Sequence, residues 1–423
     1  MLLTAAATLL SPRLAHADVP PKVEPPKVEP PKVEPPKVEP PKVEPSKVEV
    51  NLVPIAGGDT DVGIGFGEVG DVARVLPGGY RYIWKVESGA FITGKLQAGV
   101  FKIPFQDYYF IYSAPNLTAS QRLRIDIRPA FTNETTLKFY GIGNATPFPS
   151  NVPIGQTEYE RMHPTLSAEA RYRVYEAFYV KVGSVYTQNW LTVLPNSLLA
   201  QAQTSPDPVV RSMIGSFAPH GVELLEAEVQ YDSRDNDVVT RRGMFLSAFL
   251  RYSPRITSEL PYAYERVTLK AQFYGTPVRR WLTLSFRLVG DTLLGSPPFY
   301  ELARFDETPA VGGGKALRGV PAQRYYGKVK LFENLEARSE ILPFTFRGKK
   351  MVLGAAVFLD AGRTWTELGT SNPQLDGTGI GLKYGVGGGL RLQEGQSFVV
   401  RADVAWSPDA QPIGAYFAAG EIF

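Results

Sequence analysis

Two segments between Lys328 and Gly362 alternate in character residue by residue. In the first, Lys328, Lys330, Asn334, Glu336, Arg338 and Glu340 oppose Val329, Leu331, Leu335, Ala337 and Ile341. In the second, Leu353, Ala355, Val357, Leu359 and Ala361 oppose Gly354, Ala356, Phe358, Asp360 and Gly362. Strand side chains point alternately to opposite faces. Each segment therefore has an apolar face and a face of charged or small residues, as a strand between lipid and a polar lumen requires. The same pattern recurs far away. Leu123, Ile125 and Ile127 oppose Arg122, Arg124, Asp126 and Arg128; Leu282, Leu284, Phe286 and Leu288 oppose Thr283, Ser285 and Arg287; Phe398, Val400, Ala402, Val404 and Trp406 oppose Arg401 and Asp403. A soluble antiparallel sandwich also alternates, with its charge outward. Alternation alone leaves both open, and the aromatic strand ends together with an exported context favour lipid outside.

Composition narrows the field. The formal charge is +3 over 423 residues, so charge calls for no nucleic-acid partner. Beyond the N-terminus no apolar run reaches the ~18 residues of a membrane-spanning helix. Aromatic residues at 12% and 40 glycines lean towards β structure. With no cysteine there is no disulfide and no thiolate metal site.

Residues 1–17 read as a secretory signal, with an apolar core from Leu2 to Leu10 and the small-x-small site Ala15-His16-Ala17, although no basic residue precedes the core. Residues 18–49 read as a linker. Pro-Pro-Lys-Val-Glu recurs five times from Pro20 to Glu44, followed by Pro45-Ser46-Lys47-Val48-Glu49. Paired prolines forbid helix and sheet. As polyproline II this spacer would reach roughly 90 Å at ~3.1 Å per residue. It reads as a semi-rigid spacer, or as a tether to a periplasmic or wall partner. Residues 50–423 read as an all-β transmembrane antiparallel barrel of about sixteen strands. They are expected near 61–70, 79–92, 104–113, 119–131, 135–143, 160–175, 177–190, 220–233, 243–254, 262–275, 280–294, 326–341, 350–364, 379–392, 397–408 and 413–423. Long loops are expected at 191–219 and 296–325.

Five pieces of this chain resemble the BamA/TamA superfamily of outer-membrane barrels, and the resemblance spans most of 51–423. They are Phe139-Tyr140-Gly141-Ile142-Gly143-Asn144, Tyr231-Asp232-Ser233-Arg234-Asp235-Asn236, Leu317-Arg318-Gly319-Val320, Phe358-x-Asp360-x-Gly362, and the tail Tyr416 to Phe423. The third departs from the family pattern, with Val320 where an aromatic is usual. The resemblance implies that the long loop folds into the lumen, where Arg318 meets Asp360 with Glu340 as a second partner. Gly319 would permit the loop its turn, Gly362 would leave room beside Asp360, and Phe358 would receive the loop tip, less tightly for the loss of the aromatic. A guanidinium can fork two carboxylates in a way lysine cannot. The tail, with Phe417 and Phe423, resembles the signal read by the barrel-assembly machinery during biogenesis. Family members carry periplasmic POTRA domains, whereas only the proline spacer precedes the barrel in this sequence. A stand-alone barrel in the outer membrane is the match.

Other motifs carry less. Gly312-Gly313-Gly314-Lys315 lacks the hydroxyl residue and the leading glycine of a phosphate loop. Gly63-x-Gly65-x-Gly67 reads as a glycine-rich first strand, forming a weak seam with the last one. His163 and His220 have no partners for a metal, and Asp232, Asp235 and Asp237 read as turn formers. No catalytic constellation, metal site or cofactor is expected. The work implied is insertion, assembly or passage of proteins or lipids at the outer membrane. A general diffusion pore, or a tethered structural or surface-binding barrel, are the alternatives.

Overall fold

The computed structural model describes residues 47–75, 82–115, 122–278, 281–305, 308–396, 398–410 and 413–423. The expected signal, 1–17, and the linker up to residue 46 lie outside the described residues. Sixteen strands follow in order: β1 (Lys47–Asp59), β2 (Gly63–Val75), β3 (Tyr82–Gln97), β4 (Phe105–Ala114), β5 (Leu123–Lys138), β6 (Glu158–Tyr175), β7 (Phe178–Val193) and β8 (His220–Asp232). Then come β9 (Gly243–Ser253), β10 (Tyr264–Val278), β11 (Leu282–Gly295), β12 (Val329–Phe346), β13 (Lys349–Trp365), β14 (Lys383–Glu394), β15 (Phe398–Trp406) and β16 (Gly414–Ala419). Each pairs antiparallel with its neighbour in sequence, and β16 returns to β1, so the sheet closes. A three-residue strand, Val100–Lys102, adds only a local extension to β3. Among the described residues, closure leaves its longest uncovered edge where β1 meets β16, and a shorter one where 339–346 of β12 extend past β11.

The alternation places the two faces as the sequence reading expects. Val357 and Leu359 are 63% and 42% exposed on the outer face, while Asp360, of the opposite parity, is 0% exposed inside. Trp190, Trp281, Trp406 and Tyr175 stand exposed near strand ends, in the manner of interfacial girdles. A register shift at Glu340/Leu342 swaps the parity of β12, turning Leu342, Phe344 and Phe346 to the outer face and keeping that face apolar to the strand's end. Among the described residues no helix is long and apolar enough to cross a membrane.

Both strand termini lie at one end, and the long loops 139–157, 194–219, 296–328 and 366–382 at the other. There the loops build a core of their own. Phe139, Ile142 and Tyr159 pack with Leu199 and Met213 of α1 (Leu198–Gln203) and α2 (Pro208–Ile214), and with Phe299, Tyr300, Leu302 and Tyr326 of the longest loop. Ser197 and Asp207 cap the two short helices.

The expected number of strands agrees with the structure only because two differences cancel. The sequence reading misses β1 and splits β5 in two. β1 begins at Lys47, three residues inside the expected linker, because Ser46 ends the paired prolines and returns backbone donors to the chain until Pro54. Pro54 itself sits in a strand with one open edge, where proline is tolerated. The glycine-rich segment is thus β2, not the seam strand. Its Gly65 and Gly67 make room for the ring of Phe91, which a Cβ at Gly65 would meet at 2.3 Å.

Candidate functional site

The loop 296–328 enters the lumen, where three of its charged side chains pair with the wall. Glu301 accepts from Arg266 of β10 at 2.7 Å, and Arg304 holds Glu134 of β5 at 2.6 Å. The third is Arg318. Its Nε and Nη2 fork the Asp360 carboxylate at 2.7 and 2.9 Å, and its backbone N–H donates to the same group at 3.1 Å. Nη1 reaches Glu336 at 2.6 Å and Asp403 at 3.1 Å. The guanidinium carbon lies 3.3 Å from the centre of the Phe358 ring. All four charged side chains are 0% exposed.

Further arginines complete the network. Arg338 pairs with Glu336 at 2.7 Å, Arg401 with Asp403 at 2.8 Å, and Arg391 with Glu421 at 2.9 Å. Four cations thus face four carboxylates on strands β12 to β15, the loop and the chain tail. A buried ion cluster survives only when its charges and hydrogen-bonding positions are matched in this way.

The glycines around the cluster explain its closeness. Gly319 has φ +87°, and a Cβ there would lie 2.9 Å from the Trp406 carbonyl carbon; its N–H donates to the Tyr416 hydroxyl at 2.8 Å. On the inner face of β14, Gly385, Gly387 and Gly389 form a side-chain-free strip. Cβ atoms there would meet the Arg318 carbonyl oxygen at 1.8 Å, the Phe358 ring at 2.5 Å and Asp403 Oδ1 at 2.0 Å. Gly385 is also the cross-strand partner of Asp360. The sequence reading missed this strip, although Gly-Val-Gly-Gly-Gly inside a strand was a visible sign of close backbone approach.

Several expected roles move. Glu340 does not reach Arg318; it pairs with Arg241 at the end that carries the termini. Parity puts Glu336 and Glu340 on the same face, but four residues of strand separate them by ~13 Å, and only Glu336 stands across from Phe358. Gly362 leaves room for Phe332, whose Cβ a Gly362 side chain would meet at 2.9 Å, and not for Asp360. Val320 packs within the loop, against Val311, Leu317 and Tyr325, while Arg318 itself occupies the Phe358 ring. Phe417 faces outward, 45% exposed. Phe423 does not extend the last strand. The chain leaves the wall after Ala419 and turns inward, so that Phe423 lies 5.0 Å below Arg287 and 5.3 Å from Arg338.

The motif at 139–144 is not a strand either. Its Gly143 donates to Tyr326, and Asn144 donates to Gly381, tying three loops together. In the turn at 232–242, Asp232 holds Arg234 at 2.9 Å and Asp235 accepts from the N–H groups of Arg241 and Arg242. His163 contacts Glu134, and His220 contacts Tyr300. Among the described residues no group of side chains could hold a metal ion.

Beside the cluster, one strand past β15, lies a thin seam. β1 and β16 share two residue pairs, Gly58 with Phe417 and Asp59 with Tyr416, plus a backbone bond from Thr60 to Ala415. From Lys47 to Gly57, β1 pairs with β2 alone.

The Omp85 superfamily domain matches residues 159–423. Among solved structures, BamA from Haemophilus ducreyi lacking POTRA domains 1-3 superposes with a TM-score of 0.59 at 12% identity, over 89% of this chain and 70% of that one. CdiB from Escherichia coli gives 0.53 at 11% identity, over 89% and 68%. Both are likenesses of fold. No curated protein matches the chain.

Proposed function

The chain belongs to the Omp85 superfamily, and from that premise we infer that it inserts, assembles or translocates proteins at the outer membrane by opening its wall sideways. The observation that carries this reading is the seam. Eleven residues of β1, Lys47 to Gly57, offer an edge that β16 does not cover. An unpaired edge is a template for another strand. Meanwhile the stapled loop and the loop-built core obstruct the lumen, which supports lateral action over a general diffusion pore. In this reading residues 1–17 direct export, 18–46 span the periplasm towards a wall or inner-membrane partner, and the tail with Phe417 and Phe423 is read by the assembly machinery during biogenesis. Arg318, Gly319, Phe358 and Asp360 hold the wall on which the seam hinges; catalysis has no part in it.

The test is a reversible lock. A Cβ at Gly57 would lie 3.9 Å from the Cα of Ala418, within the reach of a disulfide. Cells depleted of the protein and supplied with Gly57→Cys/Ala418→Cys should recover a selective set of outer-membrane barrels only when the pair is reduced. Equal recovery under oxidising conditions, with the disulfide formed, would overturn lateral action. Large, steady ohmic channels from the purified chain in planar bilayers would favour the pore.

A further inference from the structure

Two cavities meet behind the seam, and their chemistry differs. The first, about 500 Å³, is lined by Ile55 and Ala56 of β1, Phe91, Phe105, Leu137 and Phe417. It takes in residues facing inward, such as Ile55 and Phe91, and residues facing outward, such as Ala56 and Phe417. It therefore runs through the wall at the gap between β1 and β16. The second, about 450 Å³, lies deeper and is polar. Arg128, Arg161, Arg251, Arg266, Arg304 and Lys315 line it against four carboxylates, an excess of two cations. The two share Phe105, Glu134, Arg304 and Lys315. Each is of the size that small-ligand sites occupy, ~300–1,000 Å³.

The excess charge is localised. Arg251 meets Glu226, Arg266 meets Glu301 and Arg304 meets Glu134. Arg161, 5% exposed, has a neutral partner, Asn189, at 2.9 Å and the Tyr300 ring at 3.8 Å. Lys315 stands exposed at the junction of the cavities, and among the described residues it has no carboxylate within 4.0 Å. An apolar channel open to the bilayer, ending at a cation-rich pocket in which Lys315 and Arg161 make no direct ion pair among the described residues, is complementary to one kind of molecule.

We propose that this paired cavity binds an anionic phospholipid, its acyl chain in the apolar half and its phosphate at Lys315 and Arg161. The lipid enters through the same seam that the functional reading uses, but its binding is measured without any assembly activity, so either idea can fail alone. The lipid would fill the lumen behind the edge strand and keep the gap dry while the seam stands partly open.

The test uses the full chain in a neutral detergent with phosphatidylglycerol carrying a photoreactive group at the acyl-chain end. Adducts are expected on peptides containing Ile55, Phe91 or Phe105. Lys315→Glu should lower retention of phosphatidylglycerol about fivefold relative to phosphatidylcholine, with unchanged heat-modifiable mobility as the check on folding. The adduct map of the unmodified chain stands independently of that variant. Adducts confined to the outer belt, around Phe66 and Val357, would overturn the proposal. So would displacement of the lipid by the same concentration of inorganic phosphate, which would mark a free-anion site.

Discussion

Two neighbouring stretches of this barrel wall are held by different physics. Between β12 and β13 run seventeen paired residues, and beside them four arginines and four carboxylates close around the loop. Between β16 and β1 run two pairs. One stretch would have to expose desolvated charge to open; the other would break a few backbone bonds that lipid or another strand can replace. The two are joined through Tyr416, which accepts from Gly319 of the loop and stands across from Asp59 of β1. A rigid stretch and a yielding one in one closed sheet confine any opening to a chosen place.

That contrast can be broken from the rigid stretch first. Arg318→Ala leaves Asp360 buried without its ion-pair partner, takes one of several partners from Glu336 and Asp403, and should cost ~3–5 kcal/mol. It is read as loss of heat-modifiable gel mobility and as protease cleavage within 310–320. Wild-type behaviour in both assays would sink the idea of a lock. Arg318→Lys should recover only part of the loss, since lysine keeps the charge and loses the fork.

Gly385→Val tests the strip beneath the cluster. A side chain at that position meets the Arg318 carbonyl oxygen, so the loop must lift, at a cost of ~1–3 kcal/mol. Loop cleavage should rise with little change in the seam. Glu340→Gln sharpens the assignment from the other direction. Its pair with Arg241 is partly exposed, and removal should change stability by no more than ~1 kcal/mol. Glu336→Gln should destabilise clearly more in the same urea titration; equal effects would return Glu340 to the cluster.

The smallest effect lies at the seam. In the turn between β1 and β2, Asp61 accepts from Ala322 N–H of the loop at 3.0 Å. Burial, with Asp59 beside it, pushes the Asp61 carboxyl up to about 7. A raised carboxyl favours the docked state in its protonated form. The contribution is complete below the ordinary carboxylate range and is lost as pH rises through about 7. Amide protection factors in the β1–β2 turn, with the intrinsic base-catalysed rate divided out, should fall between about pH 6 and about pH 8, and Asp61→Asn should flatten the profile. A flat profile in the unmodified chain removes Asp61 as a seam contact.

What the primary sequence carried was local and periodic. Period-two alternation gave the faces of β12, β13 and β15, because side-chain direction depends only on position along a strand. The pairing of Arg318 with Asp360 was legible only through the resemblance of a loop motif and a strand motif to a barrel family; alternation added that Asp360 faces the lumen. Alternation is blind to distance along a strand, so it could not choose between Glu336 and Glu340. It was blind to closure as well. That Gly385 lies beneath Arg318, that Asp403 and Glu421 join from β15 and the tail, and that Phe423 turns into the lumen all depend on which strands lie side by side around the ring. Closure also decided the seam. The exposed edge of β1 exists because β16 is six residues long against thirteen, a mismatch that takes effect only when the first and last strands are brought together.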